Sequence, residues 1–220
     1  MRIQGRIAPL PAGAPIAAVC LLLALLPAGR AQAIQPVERD DWSVGLAWGL
    51  GSGSVTFDEL QTPTDWAKGG SPQMRVGRRL NSHLMLGVEL RQWLNETGLA
   101  DYKIRGNVQN LSLVLTAYPG SATNLTSGLY LQAGGGFSHG RLSGLEPIEG
   151  GENEWGETYE VIYKHDAQGW GAVVGAGYEF RLSRHCAAGL AVSYNFLSFD
   201  DDVFDEAEFV PASLNLNWYF

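Results

Sequence analysis

The last eight residues of the chain constrain its fold most strongly, because their side chains alternate between two kinds of face. Every second residue from 214 onward is large and apolar, and the residues between them carry polar groups. The apolar members are Leu214, Leu216, Trp218 and Phe220, and the others are Ser213, Asn215, Asn217 and Tyr219. A period of two belongs to a β-strand, whose successive side chains point to opposite faces. Lipid can cover such an apolar face when the strand belongs to a closed sheet in which the first strand pairs with the last.

The first 33 residues have the three parts of an export signal. Arg2 and Arg6 precede an uncharged apolar segment at 16–26, and Ala31-Gln32-Ala33 fits the small-residue cleavage pattern. The apolar segment is too short to span a membrane as a helix. We therefore predict a cleaved signal peptide over residues 1–33 and a single domain over residues 34–220.

Charge and cysteine content narrow the class of protein further. The whole chain has a formal net charge of −8, and loss of the leader's three arginines makes the remainder more acidic, which argues against nucleic-acid binding. Cys20 lies in the leader, so Cys186 is left without an internal disulfide partner. After the leader no apolar run reaches the length of a membrane helix, so any span must be built from strands.

Alternation of the same kind, weaker at 73–80, recurs along the chain and predicts eight strands. The predicted strands are 42–50, 73–80, 84–91, 110–116, 129–137, 170–181, 189–196 and 213–220. The connections between them are predicted to alternate in length, with 51–71, 94–107, 138–168 and 197–209 long and 81–83, 119–127 and 182–185 short. Long external loops and short periplasmic turns are typical of outer-membrane barrels, which places both termini in the periplasm.

The two faces of these strands predict an all-β fold: an eight-stranded antiparallel up-and-down transmembrane β-barrel after a cleaved signal peptide. The less apolar face carries mainly Gly, Ala, Ser and Asn, which suits a narrow and filled interior. A soluble eight-stranded barrel is the alternative, but its outer face would have to be polar. Aromatic residues near the strand ends are expected to form girdles at the two membrane interfaces: Trp42, Trp93, Tyr118, Trp170, Tyr178, Phe180, Phe196, Trp218, Tyr219 and Phe220.

The glycine-rich segments 130–137 and 175–180, together with the terminal Phe220, carry a family resemblance. Over its whole mature length the chain resembles the small outer-membrane β-barrel proteins of Gram-negative bacteria, the porin-like and opacity-type surface antigens. The resemblance implies a monomer in the bacterial outer membrane, in contact with its lipids and lipopolysaccharide. It also implies that the barrel-assembly machinery recognises Phe220 as an assembly signal. Such motifs identify architecture better than function.

Strand parity predicts that several charges point into the barrel. The predicted lumen charges are Arg75, Glu89, Arg91, Glu179 and Arg181. Unpaired charges in a narrow lumen would be costly, so we expect them to pair. The favoured interpretation is a polar plug that holds the barrel shut, and the alternative is a gated path for ions.

Most of the 23 acidic residues lie in the long connections. The first interpretation is a solvated, acidic outer surface that could bind a host or environmental ligand. A divalent-cation site is a weaker alternative, with Asp200, Asp202 and Asp205 as candidate ligands, although the spacing of an EF-hand is lacking. No cofactor is expected.

Three segments could suggest catalysis at a membrane surface: Ser82-His83, Ser138-His139 and His165-Asp166. Adjacent Ser and His residues are common by chance, and His83 falls in a predicted periplasmic turn, so we expect no enzyme and assign no catalytic residue. The sequence thus favours a structural or surface-interaction role through acidic extracellular loops. A narrow pore for small solutes or ions is the alternative, and a lipid A-modifying enzyme is less favoured.

Overall fold

The eight strands form one antiparallel sheet in which each strand pairs with the next. The computed structural model describes residues 40–56, 67–99, 102–120, 128–147, 159–201 and 205–220. Its strands are β1 (Trp42–Thr56), β2 (Ala67–Arg79), β3 (Leu84–Leu99), β4 (Tyr102–Ala117), β5 (Leu129–Pro147), β6 (Tyr159–Ser183), β7 (Cys186–Phe199) and β8 (Glu206–Tyr219). β8 also pairs with β1, so the sheet closes into a barrel. The predicted fold is confirmed, while the predicted signal peptide lies outside the described residues.

The strands extend well beyond their predicted ends, and the predicted alternation of connection lengths is wrong. Only residues 100–101 separate β3 from β4, where the sequence predicts a long loop over 94–107. The connection from β4 to β5 spans 118–128 and is among the longer ones. Polar side chains continue the β3–β4 ladder outward, as when Gln92 Nε2 donates to Asn107 Oδ1 at 2.8 Å. A charged and polar composition is therefore found in extended hairpins as well as in loops. Within the described part of the chain, no helix has the length and apolarity needed to cross a membrane.

The pairing register fixes the stagger of the barrel. A row of directly paired residues begins at Leu46 on β1, crosses every strand and returns to β1 at Thr56, ten residues further along. The row passes through Met74, Leu90, Leu111, Phe137, Trp170, Ser198 and Glu206. Eight strands staggered in this way are strongly tilted and enclose a lumen just wide enough for side chains.

The height of the apolar outer band follows from the length of β6 that crosses it. Its outward residues run from Phe180 to Trp170, and ten residues at about 3.3 Å each, tilted by about 40°, rise about 25 Å. This is the height expected for the lipid-facing band of an outer-membrane barrel. Trp170 packs against Phe196 with ring centroids 5.7 Å apart, and Tyr178 packs against Phe180 at 4.8 Å, so aromatic pairs lie at both edges of the band.

Three residues predicted for the aromatic girdles instead point into the lumen. Trp93, Tyr118 and Tyr219 are only 2%, 2% and 1% exposed. The cause is the unbroken register: Trp93 lies two residues beyond Arg91 on the same face of β3 and pairs with Val108 on β4. Proximity to a strand end does not decide which face a side chain occupies, whereas parity does.

The expected orientation can be tested by cysteine labelling of intact cells in a Cys186→Ser background. Lys164→Cys lies on the extension of β6 above the apolar band, and Ser82→Cys lies in the turn between β2 and β3. We expect a membrane-impermeant maleimide to label the first variant and to label the second only after the cells are broken. The reverse pattern would show that the barrel is inserted the other way round.

Candidate functional site: the closed interior

The interior of the barrel has three layers along its axis. At the end that we expect to face the periplasm, the periplasmic cluster consists of Met85, Tyr118, Tyr130, Ala187, Ala191 and Tyr219. At the opposite end, the external cluster consists of Trp93, Val108, Ala167, Leu197, Phe199, Ala207 and Phe209. Between them lies a central charge layer built on Arg75, Glu89 and Arg91. All of these side chains lie on the inward faces of their strands.

Glu179 is the main acceptor of the periplasmic end and is only 1% exposed. Its carboxylate accepts hydrogen bonds from Tyr219 Oη at 2.8 Å, Asn217 Nδ2 at 3.0 Å and Tyr118 Oη at 3.3 Å. Asn217 and Tyr219 belong to β8, and Tyr118 directly follows β4; these two strands flank β6 at a distance of two strands on each side. The carboxylate thus links three strands across the lumen, and charge-assisted hydrogen bonds of this kind are the strong ones.

Glu89 and Arg91 form a buried ion pair in the central charge layer. They lie two residues apart on the same face of β3, and their side chains are 4% and 3% exposed. The Arg91 guanidinium also donates to Asn195 Oδ1 at 2.8 Å and to the hydroxyl of Ser193, both on β7. The pair therefore crosses the lumen and is held by fixed polar partners.

Arg75 completes the central charge layer. Its guanidinium donates to Gln132 Oε1 at 3.3 Å, Asn217 Oδ1 at 3.4 Å and Thr116 Oγ1 at 3.5 Å, and it lies 6.0 Å from the ring centroid of Tyr130. Glu89 and Glu179 also interact electrostatically with Arg75. Arg181 differs from the other predicted lumen charges: it lies at the exposed periplasmic rim, where its Nε donates to the carbonyl oxygen of Ser183 at 3.0 Å.

A cavity of about 20 Å³ lies within the central charge layer. Its lining includes Gln73, Arg75, Glu89, Arg91 and Gln132. Two buried donors of this lining, Gln73 Nε2 and Arg91 Nε, have no partner among the described residues. A polar cavity of this volume accommodates about one water molecule and no larger solute.

The external cluster closes the lumen with apolar side chains. Trp93 stacks on Phe209 across the barrel, with ring centroids 5.3 Å apart and planes inclined by 19°. Leu197, which is fully buried, packs in the same cluster with Val108 and Phe199. The sequence does not predict this cluster, because the less apolar face of the strands favours small and polar residues in the lumen. The informative signal is the odd spacing between large apolar residues on β3. Leu90 faces outward, but Trp93, three residues later, faces inward.

This arrangement of tilted antiparallel strands, apolar outer band and filled lumen agrees with the comparison to known families. Residues 18–220 match the family described as outer membrane protein beta-barrel domain. The chain belongs to this family. Membership places the protein in the bacterial outer membrane and confirms the predicted localisation.

This family member is also similar to solved structures of other outer-membrane barrels. Neisserial surface protein A is 15% identical, with a TM-score of 0.49 over 81% of this chain and 97% of that chain. Ail of Yersinia pestis is 12% identical, with a TM-score of 0.47 over 80% and 99% of the two chains. The N-terminal barrel of Pseudomonas aeruginosa OprF is 12% identical, with a TM-score of 0.43 over 82% and 100%. No curated protein sequence matches the chain.

The weak candidate ligands for a divalent cation in this outer-membrane barrel, Asp200, Asp202 and Asp205, lie only partly within the described residues. The backbone nitrogen of Asp200 donates to the carbonyl oxygen of Gln168, and the backbone nitrogen of Asp205 donates to the carbonyl oxygen of Thr56. Asp202 lies outside the described residues. Asp201, which was not a candidate, has its Oδ1 2.6 Å from His165 Nε2. Within the described ranges, no group of three His, Cys, Asp or Glu side chains could hold a metal ion.

The strand geometry of the outer-membrane barrel separates one candidate catalytic pair, Ser138 and His139. Ser138 is buried on the inward face of β5, whereas its neighbour His139 lies on the outward face and is partly exposed. A nucleophile and its base must lie within hydrogen-bond reach, which adjacent residues of one strand do not achieve. His83 lies near the carbonyl oxygen of Tyr118, at 3.0 Å, on the periplasmic side.

Phe220 closes the seam of the outer-membrane barrel through its backbone. Its nitrogen donates to the carbonyl oxygen of Trp42 at 3.0 Å, and its own carbonyl oxygen accepts from the nitrogen of Trp42 at 2.8 Å. The phenyl ring is 63% exposed on the outer surface. Phe220 therefore completes the β1–β8 pairing while presenting an aromatic ring outside the barrel.

Deletion of Phe220 is expected to lower the yield of folded protein in the outer membrane several-fold. The deletion removes two seam hydrogen bonds and the proposed assembly signal together. Phe220→Ala keeps the backbone bonds and removes only the ring, so it separates the two effects. The amount of heat-modifiable protein in outer-membrane fractions measures the outcome, and a wild-type yield from both variants would contradict the proposed role of Phe220.

Proposed function

We propose that this outer-membrane barrel is a closed structural protein that presents a surface for interaction outside the cell. The external cluster is the observation that carries this proposal. Among the described residues, apolar side chains stack across the lumen, led by Trp93 and Phe209, and offer no polar partner to a hydrated ion. A conducting lumen needs polar groups that replace the hydration shell of the ion.

The central charge layer also supports a closed barrel. Glu89 and Arg91 neutralise each other directly, and Asn195 and Ser193 occupy further donors of the guanidinium. Charges that serve an ion path must be able to exchange partners with the passing ion. The fixed pairing therefore favours a polar plug over the alternative of a narrow pore for small solutes or ions.

The outer hairpins supply the proposed interaction surface. β6 begins at Tyr159, eleven residues before Trp170 at the edge of the apolar band, so the β5–β6 hairpin projects far beyond the membrane. The connection between these strands contains Glu149, Glu152, Glu154 and Glu157. The ligand that such a surface suits is a cationic one, of host or environmental origin, since opposite charge promotes its encounter.

Planar-bilayer recording of the refolded mature protein tests the closed lumen. We expect no conductance steps from the wild type, and measurable steps after Trp93→Ala and Phe209→Ala are combined, because the double change removes the stacked pair. Clear ion-selective steps from the wild type would favour the pore. Mass analysis of lipid A from cells with and without the protein tests the enzyme alternative, and we expect identical spectra.

Binding of fluorescent polylysine to intact cells tests the acidic surface separately. Cells that display the wild type are expected to bind more of this cationic probe than cells with Glu152, Glu154 and Glu157 replaced by Gln. The amount of displayed barrel is matched by surface labelling in both cases. Equal probe binding would remove the acidic connection from the proposal while leaving the closed lumen intact.

A further inference from the structure

The outer face of β4, β5 and β6 changes from apolar to polar over one pair of residues per strand. The uppermost apolar row in this part of the sheet contains Leu111, Phe137 and Trp170, which are directly paired. The next row outward contains Gln109, His139 and Gln168, and the row beyond it contains Asn107, Arg141 and Asp166. The two kinds of surface meet at the outer edge of the apolar band.

A groove of about 500 Å³ lies across this boundary. Its floor includes Leu90, Leu111 and Phe137, and its outer rim includes Gln109, His139 and Gln168. Phe137 is 80% exposed and forms a prominent apolar wall. Gly169 also lines the groove. A concave surface with an apolar floor and a polar rim fits an amphipathic ligand.

Basic residues lie one and two rows beyond the rim of the groove, on its outer side. Asp166 lies near two of them and near His139 of the rim: Arg141 Nε is 2.6 Å from Oδ1, His139 Nε2 is 3.6 Å from Oδ1, and Lys164 Nζ is 3.7 Å from Oδ2. Arg105 lies on the neighbouring strand, 3.3 Å from Glu96. Three permanent cations thus face two carboxylates, and all of these side chains remain at least 38% exposed.

The surplus of positive charge is local. The hydrogen bond from Arg141, with added attraction from Lys164 and His139, holds the pKa of Asp166 below its usual value. Elsewhere on the outer surface the polar positions of β8 are the acids Glu206 and Glu208. The basic site on β4, β5 and β6 therefore differs in charge from the acidic positions of β8, in a chain that is acidic overall.

We propose that this groove binds a phosphorylated glycolipid of the outer leaflet, with its phosphate on Arg141 and Lys164 and an acyl chain against Leu111 and Phe137. Arg141 lies four residues beyond Phe137, which is about 10 Å along the barrel axis at about 3.3 Å per residue and a tilt of about 40°. This places the guanidinium at the level of lipid headgroups when Phe137 contacts the acyl chains. Arginine is well suited to phosphate, because its planar donors match the phosphate oxygens.

Binding of purified lipopolysaccharide to the refolded mature barrel in nanodiscs tests the proposal. Arg141→Gln and Lys164→Gln are each expected to weaken binding about fivefold, the effect of one basic residue at a membrane surface. Asp166→Asn is expected to strengthen binding by a similar factor, because it removes a competing carboxylate. Arg78→Gln is the matched control: it removes an outward basic side chain at the periplasmic end, next to Trp42, and should leave binding unchanged.

Further control experiments distinguish binding of the lipid from binding of a soluble anion and from loss of the fold. Enzymatic removal of the lipid phosphates should abolish the difference between wild type and Arg141→Gln, and Phe137→Ala should weaken binding of the intact lipid. Heat-modifiable migration in gels identifies the folded variants. A misfolded Asp166→Asn variant would bind less lipopolysaccharide, so a gain in binding cannot result from a folding defect. Equal affinities of wild type, Arg141→Gln and Asp166→Asn, or full competition by millimolar inorganic phosphate, would overturn the proposal.

Discussion

Replacing Glu89 with alanine is expected to lower the free energy of unfolding by about 3–5 kcal/mol, the usual cost of removing one member of a buried ion pair. The variant leaves the Arg91 guanidinium buried without its carboxylate, in a layer that also contains Arg75. Asn195 and Ser193 remain as acceptors for Arg91, but neither carries a charge. Denaturant titration of the folded barrel in micelles, followed by tryptophan fluorescence, measures the loss.

A double-mutant cycle identifies the buried charge as the cause. Arg91→Met alone leaves Glu89 unpaired and should also be costly, whereas Glu89→Ala combined with Arg91→Met removes both charges. Buried pairs replaced by apolar side chains often lose little stability. We therefore expect the double variant to be more stable than Glu89→Ala alone. A double variant that loses the sum of both single effects would show that packing, and not charge, accounts for the losses.

Trp93→Ala is expected to cost about 3–5 kcal/mol, as for other buried large-to-small changes in protein cores. The indole stacks on Phe209 and is almost completely buried inside the external cluster. Its removal leaves a space that the rigid closed sheet cannot collapse to fill. The free energy of unfolding in micelles measures this loss, and the temperature of the heat-modifiable transition should fall with it.

Trp48→Ala provides the matched control for the Trp93 variant. Trp48 is also a strand tryptophan, but it lies on the outer face of β1 and is 57% exposed to the surroundings of the barrel. Its removal exposes little buried surface, so a loss below about 1 kcal/mol is expected, within the range of surface substitutions outside special sites. Equal losses for Trp48→Ala and Trp93→Ala would contradict a packed external cluster.

Much of the barrel is predictable because lipid and lumen impose a strict alternation on each strand. The segments 42–50 and 189–196 show large residues on one face and small residues on the other, and both are strands in the structure. Parity also assigns Glu89 and Glu179 to the face that the structure buries. A period of two is easily recognised when one face must be apolar along its whole length.

The external ends of the strands are harder to predict, because the large apolar residues change from the outer face to the lumen face there. Inside the apolar band a large apolar residue faces outward, as Leu111 does, but beyond the band the outer face meets water. Val108, three residues away on the same strand, faces the lumen. Phe209 and Leu214 show the same reversal on β8. A single pattern applied to both regions therefore assigns Trp93 to the lipid and residues 94–107 to a loop.

The seam between β1 and β8 also sets the order in which the chain can be completed. β1 is translated before every other strand of the barrel, yet its second neighbour is the last strand to leave the ribosome. Until β8 arrives, the backbone groups on that edge of β1 have no partner, and lipid offers none. A half-synthesised sheet is therefore not a stable resident of the bilayer. The strands must be held outside the membrane until β8 is made, and insertion becomes an event that involves all eight strands together.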